Sequence, residues 1–293
     1  MYFWEAASTS LAKADLPLVT EYSLYVLLCP VIEAGEVEGV RIKRPPPVWD
    51  GGRCRKLITD LQNRNVLAPD SDFSAGVWRF TQTTRSSSAE EACCLVDPFV
   101  YVSHLSAMQL YGLTDRSPLT LHLTSPARPI WNALRDSRRE RDLIGRHAVT
   151  APQLRKISPH PHVRKRKVAI RSSSHPATPV EQAGSFARVA PIGRVFADML
   201  SEPELCGGIR HVIEIWEREA EQELDRVIEA VEHHPTKLAK VRAGYLLSEH
   251  MGLSDPRIEA WQAFAQRGGS QKLDPEAPYE ARWSEKWMIS LNA

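Results

Sequence analysis

The chain has 293 residues and a mass of 33.0 kDa, with 43% hydrophobic and 25% charged residues and a formal net charge of +1. That balance points to about two globular domains and excludes a wholly disordered chain, a collagen-like fibre and a coiled coil. No apolar run reaches the roughly 18 residues of a membrane-spanning helix, and Met1 to Lys13 lacks the basic-then-apolar pattern of a secretory signal, so it reads as a floppy leader or as the product of a start codon set slightly early.

Thr20 precedes a run with Leu24, Leu27, Leu28, Val31 and Ile32, which fits a capped helix with one buried face. Pro30 predicts a kink or stop at Cys29. Gly35 to Gly52 reads as irregular, with Pro45-Pro46-Pro47 as a stiff spacer. Arg53 to Arg64 is the next helix: at about 100° per residue, Cys54, Leu57, Ile58 and Leu61 share one arc. The opposite arc carries Arg55, Lys56, Thr59, Gln62 and Asn63, with Arg53 and Arg64 flanking, and no carboxylate; Asp60 lies to the side. Two short strands follow, Val66–Ala68 and Val77–Thr81, separated by an Asp- and Gly-containing turn that signals a hairpin.

Helix, basic helix and hairpin, in that order, predict an N-terminal winged helix-turn-helix over residues 1–84. The chemistry suits duplex DNA. A helix fits the major groove, where Arg, Lys, Gln and Asn reach base edges, and a hairpin beside it touches phosphate or the minor groove. Arg55, Lys56, Thr59, Gln62 and Asn63 are the candidate base-reading residues, and Arg53, Arg64 and Arg79 the candidate phosphate contacts. The other reading of the same face is a solvated surface on a protein-interaction module.

Residues 85–293 form the second expected domain: mixed α/β over 90–200, helical over 200–270, then a tail. The overall fold class is therefore α+β. Ser86–Ser88 reads as a linker, Phe99–Val102 as a strand, His104–Tyr111 as a short helix after Ser103, and Leu119–Thr124 as a half-buried strand. Residues 128–171 hold 13 Lys/Arg and 3 Asp/Glu, a net of +10, against 13 and 19 in residues 172–293. Arg135, Arg138, Arg139 and Arg141 are placed on a helix, and His162–Ile170 on a strand bearing Arg164, Lys165, Arg166 and Lys167. That quartet is a secondary basic patch, either solvated or tracking phosphate. Further on, Gly193–Leu200, one long helix over Ile209–Val231, a helix over Lys237–His250 and another from Pro256 are expected.

Signatures of catalysis are missing: there is no G-x-G-x-x-G, Walker loop, G-x-S-x-G or H-E-x-x-H. Gly207-Gly208 and Gly268-Gly269-Ser270 read as turns at helix ends. His160-Pro-His162 and His233-His234 lack a third ligand at helical spacing, and His104 and His122 lie in apolar segments. No catalytic residue, metal or cofactor is expected. The five cysteines form no C-x-x-C pair and read as core hydrophobes of a cytoplasmic protein.

Three stretches resemble AbiEi-type antitoxins. Val102–Thr114 with Leu121–Thr124 is similar to their "SHLSAL…HGLT" segment, Asp198–Leu200 with Pro203–Ile209 to their "D-x-L…P-x-x-x-GG" turn, and Arg242–Glu249 with Gly252-Leu253 to their "R-x-GYLLE…GL" helix. The likeness spans roughly residues 90–275; the leader, Arg44–Val48 and His160–Arg171 have no counterpart in it. The resemblance implies a bacterial type IV antitoxin. Such a protein represses its own operon through an N-terminal winged helix on promoter DNA, and its C-terminal domain counters a nucleotidyltransferase-like toxin. It assigns no catalytic residue. The expected partners are double-stranded promoter DNA and that toxin, with no membrane, and the chain is expected to be a monomer in solution, with cooperative binding on DNA left open. The competing readings are a nucleic-acid-processing enzyme or loading subunit using residues 128–171, and a pure protein adaptor.

Overall fold

In the computed structural model, which describes residues 1–145, 150–158, 160–266 and 271–293, the segment expected to be a leader is a helix, α1 (Phe3–Lys13). Glu5 accepts a hydrogen bond from the Tyr2 N–H at its start (2.5 Å), and Ala6, Ala7 and Leu11 are fully buried. Alanines bury well yet give a weak apolar period, which is why the sequence conceals this helix. β1 (Leu18–Thr20) leads into α2 (Glu21–Ala34), where Thr20 Oγ1 accepts from the Ser23 N–H at 3.1 Å as the expected cap. α2 does not stop at Cys29: it runs through Pro30 to Gly35, whose left-handed backbone (φ +68°) ends it. Proline removes one helical hydrogen bond, and burial of Leu24, Tyr25, Leu28 and Cys29 offsets that loss.

The stretch expected to be irregular contains a small hairpin, β2 (Glu36–Val37) and β3 (Val40–Arg41). α3 (Gly51–Asn63) then precedes β4 (Leu67–Pro69) and β5 (Val77–Phe80), the predicted hairpin. The serine linker ends in a cap: Ser88 Oγ accepts from the Glu91 N–H at the start of α4 (Ala89–Val96). β6 (Tyr101–Val102), α5 (His104–Leu110), β7 (Thr120–Pro126) and α6 (Arg128–Asp142) follow.

His162–Ile170 is not one strand but a turn between two, β8 (His162–Val163) and β9 (Arg166–Ser173). Beyond β10 (Val180–Glu181), β11 (Arg188–Val189) and α7 (Ile192–Ser201), the long helix expected over 209–231 is two, α8 (Ile209–Glu219) and α9 (Leu224–Glu232). The break falls where Glu217/Glu221, Glu219/Glu223 and Glu221/Asp225 would stack like charges four residues apart on a continuous helix. The next expected helix is α10 (Lys237–Gly244) with a π-helical turn at Tyr245–His250. α11 (Pro256–Ala260), capped by Asp255, and a terminal hairpin, β12 (Trp283–Ser284) and β13 (Ile289–Ser290), complete the order. The Gly268-Gly269-Ser270 turn lies outside the described residues.

The fold is α+β. Its strands form a three-stranded sheet of order β1-β5-β4, a six-stranded sheet of order β10-β11-β6-β7-β9-β8, and the β2–β3 and β12–β13 hairpins. The chain divides into two compact units. One comprises Met1–Tyr101, Ser125–Ser174 and Glu181–Arg188; the other Val102–Thr124, His175–Val180 and Val189–Ala293. The described part of the basic stretch 128–171 thus belongs to the same unit as α3. The core of that unit gathers Leu11, Leu24, Tyr25, Leu28, Leu61 and Phe80. In the other unit, Phe196 meets Trp216 edge-on at 5.5 Å, and Trp287 is fully buried. Among the described residues no helix is long and apolar enough to cross a membrane.

Candidate nucleic-acid interface

α3 is set by its ends and its apolar arc. Asp50 caps it, its carboxylate accepting from the Arg53 N–H at 2.8 Å, and Cys54, Leu57, Ile58 and Leu61 are buried as expected. The opposite face stands open: Arg55, Lys56, Thr59, Asn63 and Arg64 are exposed, and Arg53 and Gln62 half-buried. Several of these side chains already have partners. Arg55 reaches Glu21 at 3.2 Å, Arg64 reaches Asp60 at 2.9 Å with its guanidinium 4.5 Å from the Trp4 ring centre, and Arg53 donates to the Val48 carbonyl. Thr59 bonds back to the Arg55 carbonyl. Lys56 forms no ion pair among the described residues.

β4 and β5 pair antiparallel, Leu67 opposite Phe80 and Pro69 opposite Trp78, and β5 pairs in turn with β1, so the hairpin is part of the three-stranded sheet. Arg79 is exposed on β5, 3.8 Å from the buried Asp70 carboxylate.

The basic stretch grips the turn of this hairpin. Arg155 donates to the Ala75 carbonyl at 2.5 Å, and the His160 N–H to the Asp72 carbonyl at 3.1 Å. Arg164 takes Asp70 at 2.8 Å and also pairs with Asp72, while its own N–H donates to the Asp72 carboxylate at 2.8 Å. Burial opposes the charge on Arg164, and the two carboxylates outweigh it, holding its pKa above the ordinary guanidinium value. These bonds also explain the turn between β8 and β9. Arg164 and Lys165 both have positive φ (50° and 64°), a conformation that usually calls for Asn-Gly, and the Asp70/Asp72 clamp holds it here.

The secondary patch is thereby divided. Arg164 and Arg166 are tied into the fold, Arg166 by Glu90, whereas Lys165 and Lys167 are exposed and form no ion pair among the described residues. On α6, Arg135 is paired with Asp136 and Arg138 with Asp142. Sequence reasoning missed a neighbour of α3: Tyr2, Trp4, Lys43 and Arg44 line a cleft beside it, hidden because they lie in the supposed leader and in the Gly35–Gly52 stretch read as irregular.

The segments likened above to AbiEi-type antitoxins are structural pegs of the second unit. Ser103 Oγ meets His104 Nδ1 at 2.9 Å, His104 Nε2 meets Glu202 at 2.8 Å, and Thr124 donates to Ser103. Ser103 and His104 are sealed from solvent, so this chain of bonds locks α5 in place without offering a nucleophile to a substrate. Arg242, also buried, donates to the Leu200 and Lys272 carbonyls. A side chain on Gly244 would collide with the Trp287 ring, whose Nε1–H donates to Ser248. His233 bonds the Glu229 carbonyl through Nδ1, and among the described residues no three His, Cys, Asp or Glu side chains gather as a metal would require. All five cysteines are buried and none is in a disulfide.

No family model matches the chain, and no curated protein does. The chain is similar in structure to the crystal structure of the RV2827C protein from Mycobacterium tuberculosis, with a TM-score of 0.50 and 14% identity over 98% of this chain and 90% of that one. At that identity the likeness is one of fold alone.

Proposed function

We propose that this chain is a DNA-binding antitoxin that represses its own promoter through an N-terminal winged helix and counters a nucleotidyltransferase-like toxin. The observation that carries the DNA-binding half is the exposed face of α3. It presents Arg55, Lys56, Thr59, Gln62 and Asn63, with no carboxylate among them, beside a β-hairpin whose turn is braced by the basic stretch. The element order α1-β1-α2-β2-β3-α3-β4-β5, with the small β2–β3 hairpin between α2 and α3, and the sheet order β1-β5-β4 support the winged-helix reading. A face of this chemistry reads base edges in the major groove, while Arg53, Arg64, Arg79, Lys165 and Lys167 hold phosphates on either side. The AbiEi-like segments support the antitoxin half.

The test is fluorescence anisotropy with the DNA upstream of the protein's own gene. The parent chain binds it in preference to scrambled duplex, and the Arg55→Glu/Lys56→Glu variant loses that preference. Promoter binding by the charge-reversed protein at the parent's affinity refutes the assignment. Co-expression with the product of the adjacent gene tests the second half: relief of growth arrest by this chain is expected, and unrelieved arrest rejects it.

A further inference from the structure

The cleft beside α3 has a volume of about 640 Å³, within the range of small-molecule sites, and lies wholly inside the first unit. Its walls alternate rings and cations. Trp49 is held rigidly: its Nε1–H donates to the Tyr25 carbonyl at 3.1 Å, its ring stacks on Tyr25 at 5.4 Å, and Phe3 meets its edge at 5.5 Å. Tyr2 and Trp4 form the α1 wall, with Lys43 5.5 Å from the Tyr2 ring centre and Arg64 over Trp4. Both carboxylates of the lining are already engaged, Glu5 by the Tyr2 N–H and Asp60 by Arg64. Lys43, Arg44 and Lys56 are exposed and form no ion pair among the described residues. The lining therefore keeps a positive excess that its own acids do not neutralise.

Each simpler ligand satisfies only part of this lining. An inorganic anion leaves the rings unused, and an apolar molecule strips water from cations without replacing it. A planar base joined to phosphate answers both, stacking on aromatic faces and placing its charge among Lys43, Arg44 and Lys56. We infer that the cleft binds a nucleotide unit, either a free nucleoside phosphate or one nucleotide of a single strand. The site shares Arg53, Lys56 and Arg64 with the proposed promoter surface, but Tyr2, Lys43 and Arg44 are not among the promoter contacts, so variants there test it separately.

The experiment titrates the full chain with a fluorescent ATP analogue and, separately, with a labelled short poly-dT strand. Saturable binding of the analogue, displaced by ATP at least about tenfold better than by inorganic tripolyphosphate or adenosine, identifies a free nucleotide as occupant. Binding of the strand alone, not of ATP, identifies a strand nucleotide. In either case Lys43→Glu/Arg44→Glu weakens binding about tenfold or more, and Tyr2→Ala, a surface change in a second element, weakens it as well. Thermal unfolding equal to that of the parent shows that both variants are folded. Failure of both probes to bind, equal displacement by tripolyphosphate, or binding indifferent to the variants overturns the proposal, whatever the promoter assay returns.

Discussion

Replacing Arg164 separates a brace from a DNA contact. The Asp70 carboxylate is 1% exposed and meets Arg164 at 2.8 Å, with Arg79 more distant at 3.8 Å. Removing one partner of a buried ion pair typically costs about 3–5 kcal/mol, because the other charge stays buried. Two features pull the figure down here: Arg164 is itself 26% exposed, and Arg79 remains within reach of Asp70. Arg164→Ala should therefore lose about 2–3 kcal/mol in urea unfolding followed by tryptophan fluorescence. Arg164→Gly should lose about 1 kcal/mol less, since glycine relieves the positive φ that alanine retains. Adding Asp70→Asn to Arg164→Ala should recover much of the loss by removing the stranded charge. Promoter affinity of Arg164→Ala should fall with no change in its salt dependence, as for a residue that positions the hairpin without touching phosphate. An Arg164→Ala variant within about 0.5 kcal/mol of the parent, a surface-like value, refutes the clamp.

Gly244→Ala should destabilise the chain by about 1–3 kcal/mol through overpacking against Trp287, and Trp287→Leu in the same chain should return part of that in urea unfolding. Burial, together with Arg194, holds the His234 pKa below the ordinary imidazole value, and its Nδ1 accepts from the Thr236 N–H at 3.2 Å, so the folded state favours the neutral ring. The unfolded chain then binds more protons as pH falls below about 6.5. Stability should decline from pH 7 toward 5, and His234→Gln should flatten that decline in pH-dependent urea titrations. Burial raises the thiol pKa of Cys54, Cys93, Cys94 and Cys206. A thiol reagent should therefore label the native protein far more slowly than the urea-unfolded chain, and rapid native labelling would contradict the buried placement.

What was legible in the sequence was whatever a local pattern determines. α3, its buried arc of Cys54, Leu57, Ile58 and Leu61, and the hairpin after it follow from apolar spacing and turn residues within about thirty positions. The α1 helix was not legible, because Ala6 and Ala7 owe their burial to packing rather than to hydrophobic character. Nor was the β8–β9 turn: Arg164-Lys165 is no turn sequence, and what bends it there is a pair of aspartates more than ninety residues earlier in the chain. Arg242 makes the same point in the other unit, where a residue type usually found at the surface is buried and spans two distant carbonyls. The cleft beside α3 was missed for a related reason, since its two walls come from segments that only the fold brings together.

Charge counted along a chain differs from charge available to a partner, and the salt dependence of DNA binding measures the second. The stretch 128–171 holds 13 basic residues, but Arg135, Arg138, Arg164 and Arg166 pair with carboxylates, while Arg139 and Lys156 donate to the Pro152 and Pro126 carbonyls. The proposed phosphate set is instead Arg53, Arg64, Arg79, Lys165 and Lys167. At about 0.9 per phosphate, five contacts give a slope of log K against log salt of about −4.5, whereas the whole stretch tracking a duplex would give about −12. Arg64 must leave Asp60 to make its contact, and Arg79 must turn from Asp70, so measured values shallower than −4.5 by about 1 or 2 remain those of this surface. A slope near −12 would mean that the structural ion pairs open on DNA, and one near zero would remove the phosphate contacts altogether; either outcome rejects the division between bracing and binding cations drawn from the two hairpins.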